Sequence, residues 1–232
     1  MQIPISARLL VCADFVSPGD RVADIGCDHG YLGIYLLKQG IASAVIASDL
    51  RPGPLESAVR NAAKYGVGDK IRFYLSDGAA SIPRDFDCMV CAGMGADTII
   101  SILTHAPWLK SAQYRLILQC QSKTPVLRKF LSESGWRIAR ERVSKDGRFL
   151  YTVMEVRWEP DAPKLQVHEW YFPPALLEKP SEEVREYYRY VVRGLEIAVN
   201  GQGEGVDPIK PMALEGLRKL ARQESFLKED AT

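Results

Sequence analysis

The chain has 232 residues, 47% of them hydrophobic and 25% charged, an ordinary globular balance with enough length to bury a core without disulfides or metals. That length holds one full domain plus an appendage, or two small domains. Lys and Arg total 30 against 29 Asp and Glu, a formal charge of +1. This excludes a histone-like protein held to nucleic acid by bulk charge, but not an enzyme with one local basic face.

Residues Met1 to Arg8 lack the basic segment and long apolar stretch of a secretory leader, and no apolar run reaches the length of a membrane span. The five cysteines (Cys12, Cys27, Cys88, Cys91, Cys120) are odd in number and sit mostly in apolar stretches, so they read as reduced thiols of a cytoplasmic protein. Cys88 and Cys91 match C-x-x-C, but inside a strand-like run and with no second pair. With only three histidines in the chain, no metal site is expected.

In chain order, the pattern predicts a strand over 21–25, a helix from Tyr31 to Gln39 stopped by Gly40, and a strand over 44–48 closed by Asp49. A helix over 55–65, stopped by Gly66, and a strand over 70–75 follow. Next come a strand over 86–91, a helix over 97–105, a strand over 114–120 and a helix over 125–134. Continuous apolar strands separated by helices imply a parallel sheet covered on both faces, an α/β doubly wound fold. Residues 136–143 and 149–158 then read as two strands joined at Asp146-Gly147, a hairpin signal. A parallel sheet finishing in such a hairpin is the plan of the class I methyltransferase fold.

Pro160, Pro163, Pro173, Pro174 and Pro180 mark a strap. Val184, Tyr188, Val191, Leu195 and Ala198, then Ala213, Leu217, Leu220 and Leu227, recur at helical spacing on either side of Gly201-Gln202-Gly203-Glu204-Gly205. They predict a C-terminal helical hairpin, either coiled-coil-like or docked on the main domain. The expected division is a cofactor domain over 1–158 and a strap with helical hairpin over 159–232.

The chemistry concentrates after the first four strands. Asp24-Ile25-Gly26-Cys27-Asp28-His29-Gly30-Tyr31-Leu32 forms a glycine-bearing first turn, which lets backbone approach a ligand. Asp49, with Leu50 beside it, ends the second strand 23 residues after Gly26, where an acid can accept both ribose hydroxyls of a nucleoside cofactor. Asp77-Gly78 can meet an adenine amino group and ring. Ala92-Gly93-Met94-Gly95 lies where a transferred methyl group would be faced. Each element alone fits an ordinary turn; together they converge on one crevice.

These residues, with Leu116-Ile117-Leu118-Gln119, Arg8-Leu9 and Phe172-Pro173-Pro174-Ala175-Leu176-Leu177, resemble the bacterial tRNA (adenine(22)-N1)-methyltransferases over nearly the whole chain. The resemblance implies S-adenosylmethionine as cofactor, N1 of an adenine in the D-arm region of tRNA as acceptor, and a C-terminal helical hairpin. The residues expected to contact that cofactor are Asp24, Gly26, Cys27, Gly30, Tyr31, Asp49, Leu50, Asp77, Gly78, Ala92, Gly93 and Met94. The sequence departs from the family pattern at Gly30, Gly33, Ala96 and Gln119-Cys120-Gln121, positions expected at the pocket rim.

Asp28 is the candidate to stabilise charge on the methylated base, although it can equally bond the loop backbone; His29 is a second candidate. RNA contact is expected from the stretch 123–148, with eight basic and three acidic residues. Lys123, Arg128, Lys129, Arg140, Lys145 and Arg148 are the contacts expected there, with Arg8 added. Arg185, Arg189 and Arg193 offer an alternative grip on the helical hairpin. Residues 1–159 carry 20 basic and 16 acidic groups, whereas 160–232 carry 10 and 13. A monomer is expected, with dimerisation through the helical hairpin as the alternative. Three other functions stay open: a methyltransferase for another RNA base or a small molecule, a nicotinamide-dependent oxidoreductase, and a non-catalytic RNA-binding protein.

Overall fold

The computed structural model describes residues 2–201 and 207–230, so most of the glycine-rich turn at 201–205 lies outside the described residues. The elements are α1 (Ala7–Phe15), β1 (Arg21–Ile25), α2 (Tyr31–Lys38), β2 (Ala44–Asp49), α3 (Pro52–Lys64), β3 (Ile71–Leu75), β4 (Cys88–Gly95), α4 (Ala96–His105), β5 (Arg115–Ser122), α5 (Thr124–Glu133), β6 (Trp136–Asp146), β7 (Phe149–Trp158), α6 (Glu182–Asn200) and α7 (Ile209–Gln223). The strands form one seven-stranded sheet in the order β3-β2-β1-β4-β5-β7-β6. β1 to β5 are parallel, and β7 runs antiparallel to both β5 and β6.

Alternation along the strands divides the core. Cys88 and Val90 of β4 join the cluster under α1, α2 and α3, whereas Met89 and Cys91 join the cluster under α4 and α5. Both cysteines of the C-x-x-C pair are fully buried and unpaired, and burial pushes the Cys88 thiol up to about 12. Among the described residues, no group of three or more His, Cys, Asp or Glu is placed to hold a metal ion. No described helix is long and apolar enough to cross a membrane.

Three elements depart from expectation. α1 is absent from the sequence reading, yet its Cys12, Ala13 and Phe15 are buried against the sheet. β4 runs on to Gly95, with register shifts at Ala92/Met94 and Met94/Gly95, so the glycine-rich segment is the irregular end of a strand rather than a loop after it. The last helix stops at Gln223, and Leu227 reaches the core from a separate 3₁₀ turn over Ser225–Asp230.

A third apolar cluster joins the strap (Phe172, Leu176), α6 (Val184, Tyr188, Leu195) and α7 (Ala213, Leu217), with Val143 of β6 and Leu150 of β7 packed against it. The two helices therefore dock on the terminal β-hairpin. Arg128 of α5 is the polar anchor of this junction and is fully buried. Its Nη2 donates to Glu141 Oε1 at 2.6 Å, Thr152 Oγ1 at 3.3 Å and Tyr187 Oη at 3.2 Å. Its Nη1 donates to the carbonyls of Trp170 and Tyr171, both at 2.9 Å. One guanidinium thus ties α5, β6, β7, the strap and α6. This corrects the expectation that Arg128 contacts RNA: a fully buried guanidinium presents no donor to a phosphate at the surface.

Removing one partner of a buried ion pair leaves the other charge uncompensated. Arg128→Ala should therefore destabilise the fold by roughly 3–5 kcal/mol in urea, and Arg128→Met with Glu141→Leu should recover most of that loss. A change below about 1 kcal/mol in Arg128→Ala would show that the junction does not depend on this pair.

Candidate active site

The sheet order reverses between β1 and β4, and the carboxyl ends of the strands there open on a cavity of about 720 Å³. The loop after β1 forms its floor. Gly26 has φ of 70°, and a Cβ added there would overlap Met94 Cε, so a larger residue would close the space between these two loops. The Cys27 amide donates to the Ser48 carbonyl at 2.8 Å, tying the loop to β2. Asn61 Nδ2 donates to the His29 carbonyl at 3.0 Å, tying it to α3.

Asp24 lies under this floor and is 4% exposed. Its Oδ2 has no hydrogen-bond partner. Burial raises its pKa to about 7; the Gly33 amide opposes the shift and the Asp49 charge adds to it. Asp49 is also buried but well held. Its Oδ2 accepts from the Asp28 amide at 3.1 Å and its Oδ1 from the Arg51 amide at 2.9 Å. Leu50, beside it, is exposed at the rim.

Ser76 shapes the third loop. Its Oγ donates to the Gly78 carbonyl and accepts from the Ser81 amide, both at 3.0 Å, leaving Asp77 exposed at the cavity edge. On β4, Ala92, Gly93 and Met94 line the wall. The Gly93 amide donates to Oε1 of the fully buried Gln119 at 2.9 Å, which fixes the strand's irregular end.

Asp28 sits at φ 51°, a left-handed conformation that Asp tolerates, with its side chain 62% exposed at the mouth. His29 Nε2 lies 3.7 Å from Asp28 Oδ2, and the His29 and Tyr31 rings are 5.9 Å apart. Asp28, His29 and Tyr31 all line the cavity.

Gly30 is a correction: it does not line the cavity. A Cβ there would meet Ala58 Cβ at 2.9 Å, so this glycine serves the packing of α2 on α3 rather than approach to a ligand. Gly33 is likewise not at the rim, because a Cβ there would sit 2.9 Å from Val45 Cγ1. Sequence reasoning missed Arg51, Ser76, Asp97, Thr98 and Ser101, which also line the cavity. Arg51 and Ser76 sit within two residues of Asp49 and Asp77 and could have been found by that adjacency.

Of the expected RNA contacts, Arg8 lines the cavity and lies 3.7 Å from Asp146. Lys123 pairs with Asp97 at 2.7 Å and Lys145 with Glu186 at 2.8 Å. Arg140 pairs with Glu155 and lies over the Phe15 ring. Lys129 lies over the Trp170 ring, and Arg148 over Phe149. These pairings reduce the positive field that the residue count suggests. Among the described residues Arg148 has no carboxylate partner.

Residues 5–154 match the methyltransferase domain family. The chain belongs to this family. It is 30% identical over 154 residues to the tRNA (adenine(22)-N(1))-methyltransferase of Bacillus subtilis, an alignment covering 66% of this chain and 65% of that protein. The aligned part thus spans just under two thirds of that relative. The structure of the Streptococcus pneumoniae protein Sp1610 in complex with S-adenosyl-L-methionine superposes with a TM-score of 0.80 at 29% identity, covering 93% of this chain and 99% of that one. The Bacillus subtilis M1A22 tRNA methyltransferase TrmK superposes with a TM-score of 0.77 at 25% identity, covering 100% of both chains. The similarity to these structures extends over both the methyltransferase domain and the C-terminal helices.

Asp24 makes stability depend on pH in a defined direction. Its carboxyl titrates near 3.8 when unfolded and about 7 when folded, so between those values the folded state holds a proton that the unfolded state has lost. Stability should fall as pH rises from about 4 to about 7, then level off. Asp24→Asn should be close to the parent protein at about pH 4 and gain on it by roughly 2–4 kcal/mol at about pH 8, measured by urea unfolding. A difference independent of pH would show that Asp24 titrates normally.

Proposed function

We propose that this chain transfers a methyl group from S-adenosylmethionine to N1 of an adenine in tRNA, adenine 22 of the D-arm region. The observation that carries the reading is the unpartnered, buried Asp24 oxygen beside a cavity flanked by Asp49 and Asp77. Such a cavity fits a ligand with an ammonium, a ribose diol and an adenine amino group. The named relatives, one with this cofactor bound, support the same choice.

Asp24 would take the ammonium, Asp49 the two ribose hydroxyls on its remaining lone pairs, and Asp77 the adenine amino group, with Gly26 and Gly78 leaving room for the backbone and ring. Cys27, Tyr31, Leu50, Ala92, Gly93 and Met94 would complete the walls. When bound, S-adenosylmethionine supplies a sulfonium-activated methyl group. Adenine N1 already carries a lone pair, so the chain needs no base to remove a proton first, and its main task is positioning. Within a base pair N1 is hidden, so the target base must be unpaired or flipped to enter. Methylation leaves positive charge on the base. Asp28, at the mouth, is placed to offset that charge, with His29 beside it.

Residues 1–158 would carry this chemistry, with the strap and helices of 159–232 as a buttress. Arg8, Lys123, Lys129, Arg140, Lys145 and Arg148 would supply phosphate contacts. Val184, Tyr188, Leu195, Ala213 and Leu217 of α6 and α7 are packed within one chain, which favours a monomer over a dimer through those stripes. Five free cysteines suit a cytoplasmic setting.

Incubating tRNA with the methyl-labelled cofactor and digesting it to nucleosides should give 1-methyladenosine. Asp49→Ala should weaken cofactor binding about 10–100-fold by calorimetry. Asp28→Asn should lower kcat about 10-fold or more with cofactor affinity unchanged. Label in another nucleoside, or none in tRNA, would overturn the reading.

A further inference from the structure

A second cavity, of about 650 Å³, lies between the carboxyl end of β5, the start of β7 and the inner face of α6. Four tyrosines (Tyr151, Tyr171, Tyr187, Tyr190) and three cations (Lys123, Arg193, Lys210) line it, with no carboxylate in its walls. Tyr190 is 66% exposed, and Ile197, two turns further along the same helix, is 64% exposed, so α6 presents large apolar surface to this cavity. One turn past Tyr190, α6 carries Gly194, and a Cβ there would meet nothing within 4 Å. A mid-helix glycine costs about 1 kcal/mol relative to alanine. Here it leaves the wall beside Tyr190 flat and open. Arg193 and Lys210 have no carboxylate partner among the described residues, so their charge is available to a ligand.

This cavity adjoins the first. Lys123, in its wall, pairs at 2.7 Å with Asp97, which lines the methyltransferase cavity. Gly95 of β4 sits opposite Ser122 of β5 in the sheet, and Ser122 also lines the second cavity. One ion pair thus separates the two cavities, which places the second within reach of a nucleotide next to one held in the first.

We propose that the second cavity binds an unpaired nucleotide flanking the target adenine on the same RNA strand, its base stacked on Tyr190 and its phosphate held by Arg193 and Lys210. The inference rests on the tRNA methyltransferase reading above. Aromatic platforms with adjacent cations and no acidic groups are how proteins hold single-stranded nucleic acid without reading its sequence. Stacking there holds the strand in its extruded path, so the cavity acts on RNA affinity and leaves the cofactor site untouched.

The test compares Tyr190→Ala, Tyr190→Phe, Arg193→Ala and Gly194→Leu in the full chain. Three readouts are measured: KM for tRNA, calorimetric affinity for S-adenosylmethionine, and anisotropy binding of a fluorescent single-stranded RNA without cofactor. Tyr190→Ala and Gly194→Leu should each raise KM and weaken RNA binding about 10-fold, with cofactor affinity unchanged. Tyr190→Phe should restore both, and Arg193→Ala should flatten the salt dependence of RNA binding. If the parent protein methylates tRNA but the variants leave KM and RNA binding unchanged, the proposal fails while the methyltransferase reading stands. If the parent does not methylate tRNA yet the variants weaken RNA binding, the methyltransferase reading fails while the cavity's role as an RNA site stands. Equal RNA binding by parent and variants, with no methylation, overturns both.

Discussion

The carboxyl edge of the sheet is organised around a buried carboxylate, Asp24, that has one oxygen without a partner. Asp24 ends up buried because it lies on β1, the strand between β2 and β4 where the sheet order reverses. An isolated carboxylate there is costly, and the rise of its pKa to about 7 is the measure of that cost. No cation neutralises it among the described residues, and the Asp49 charge adds to the cost. Such a site stabilises a bound cation more than it stabilises itself. The bound ligand, rather than the fold, would complete it.

The loops around that carboxylate are held by backbone contacts rather than by bulk. Asp49 uses one oxygen on Asp28 and the other on Arg51, Ser76 closes its own loop, and Gln119 holds Gly93 from the next strand. Each device orders a loop without filling the crevice. Arg128 plays the matching part at the other end of the sheet, where five hydrogen bonds fasten the strap and helices to the terminal hairpin. That junction also sets the wall of the second cavity, because Tyr187 and Tyr190 stand on the same helix.

The parallel strands were legible because β1, β2, β4 and β5 are buried on both faces and read as apolar runs with small polar endings. Asp24, Asp49 and Gly93 were legible because they stand at those endings, and Asp77 because it follows β3 at the same edge, where open α/β sheets bind ligands. α1 was not, because its short stripe of Cys12, Ala13 and Phe15 precedes the first strand and its helical period is brief. Gly30 was misread because a packing glycine and a ligand glycine look alike in sequence; only the position of Ala58 separates them. Arg128 was misread for a similar reason. It stands in a basic stretch, and its partners lie 13 to 59 residues away, on β6, β7, the strap and α6. The same pairing logic lowers the weight of Lys123, Arg140 and Lys145, whose carboxylate partners the residue count could not locate.

Titrating the Asp24 carboxyl carbon by NMR, in the free protein and with saturating S-adenosylmethionine, addresses this buried carboxylate directly. The expected result is a midpoint of about 7 in the free protein, falling by about two units or more when the cofactor's ammonium neutralises the site. A midpoint near the ordinary value of about 4 in the free protein, or one that the cofactor leaves unmoved, would contradict it.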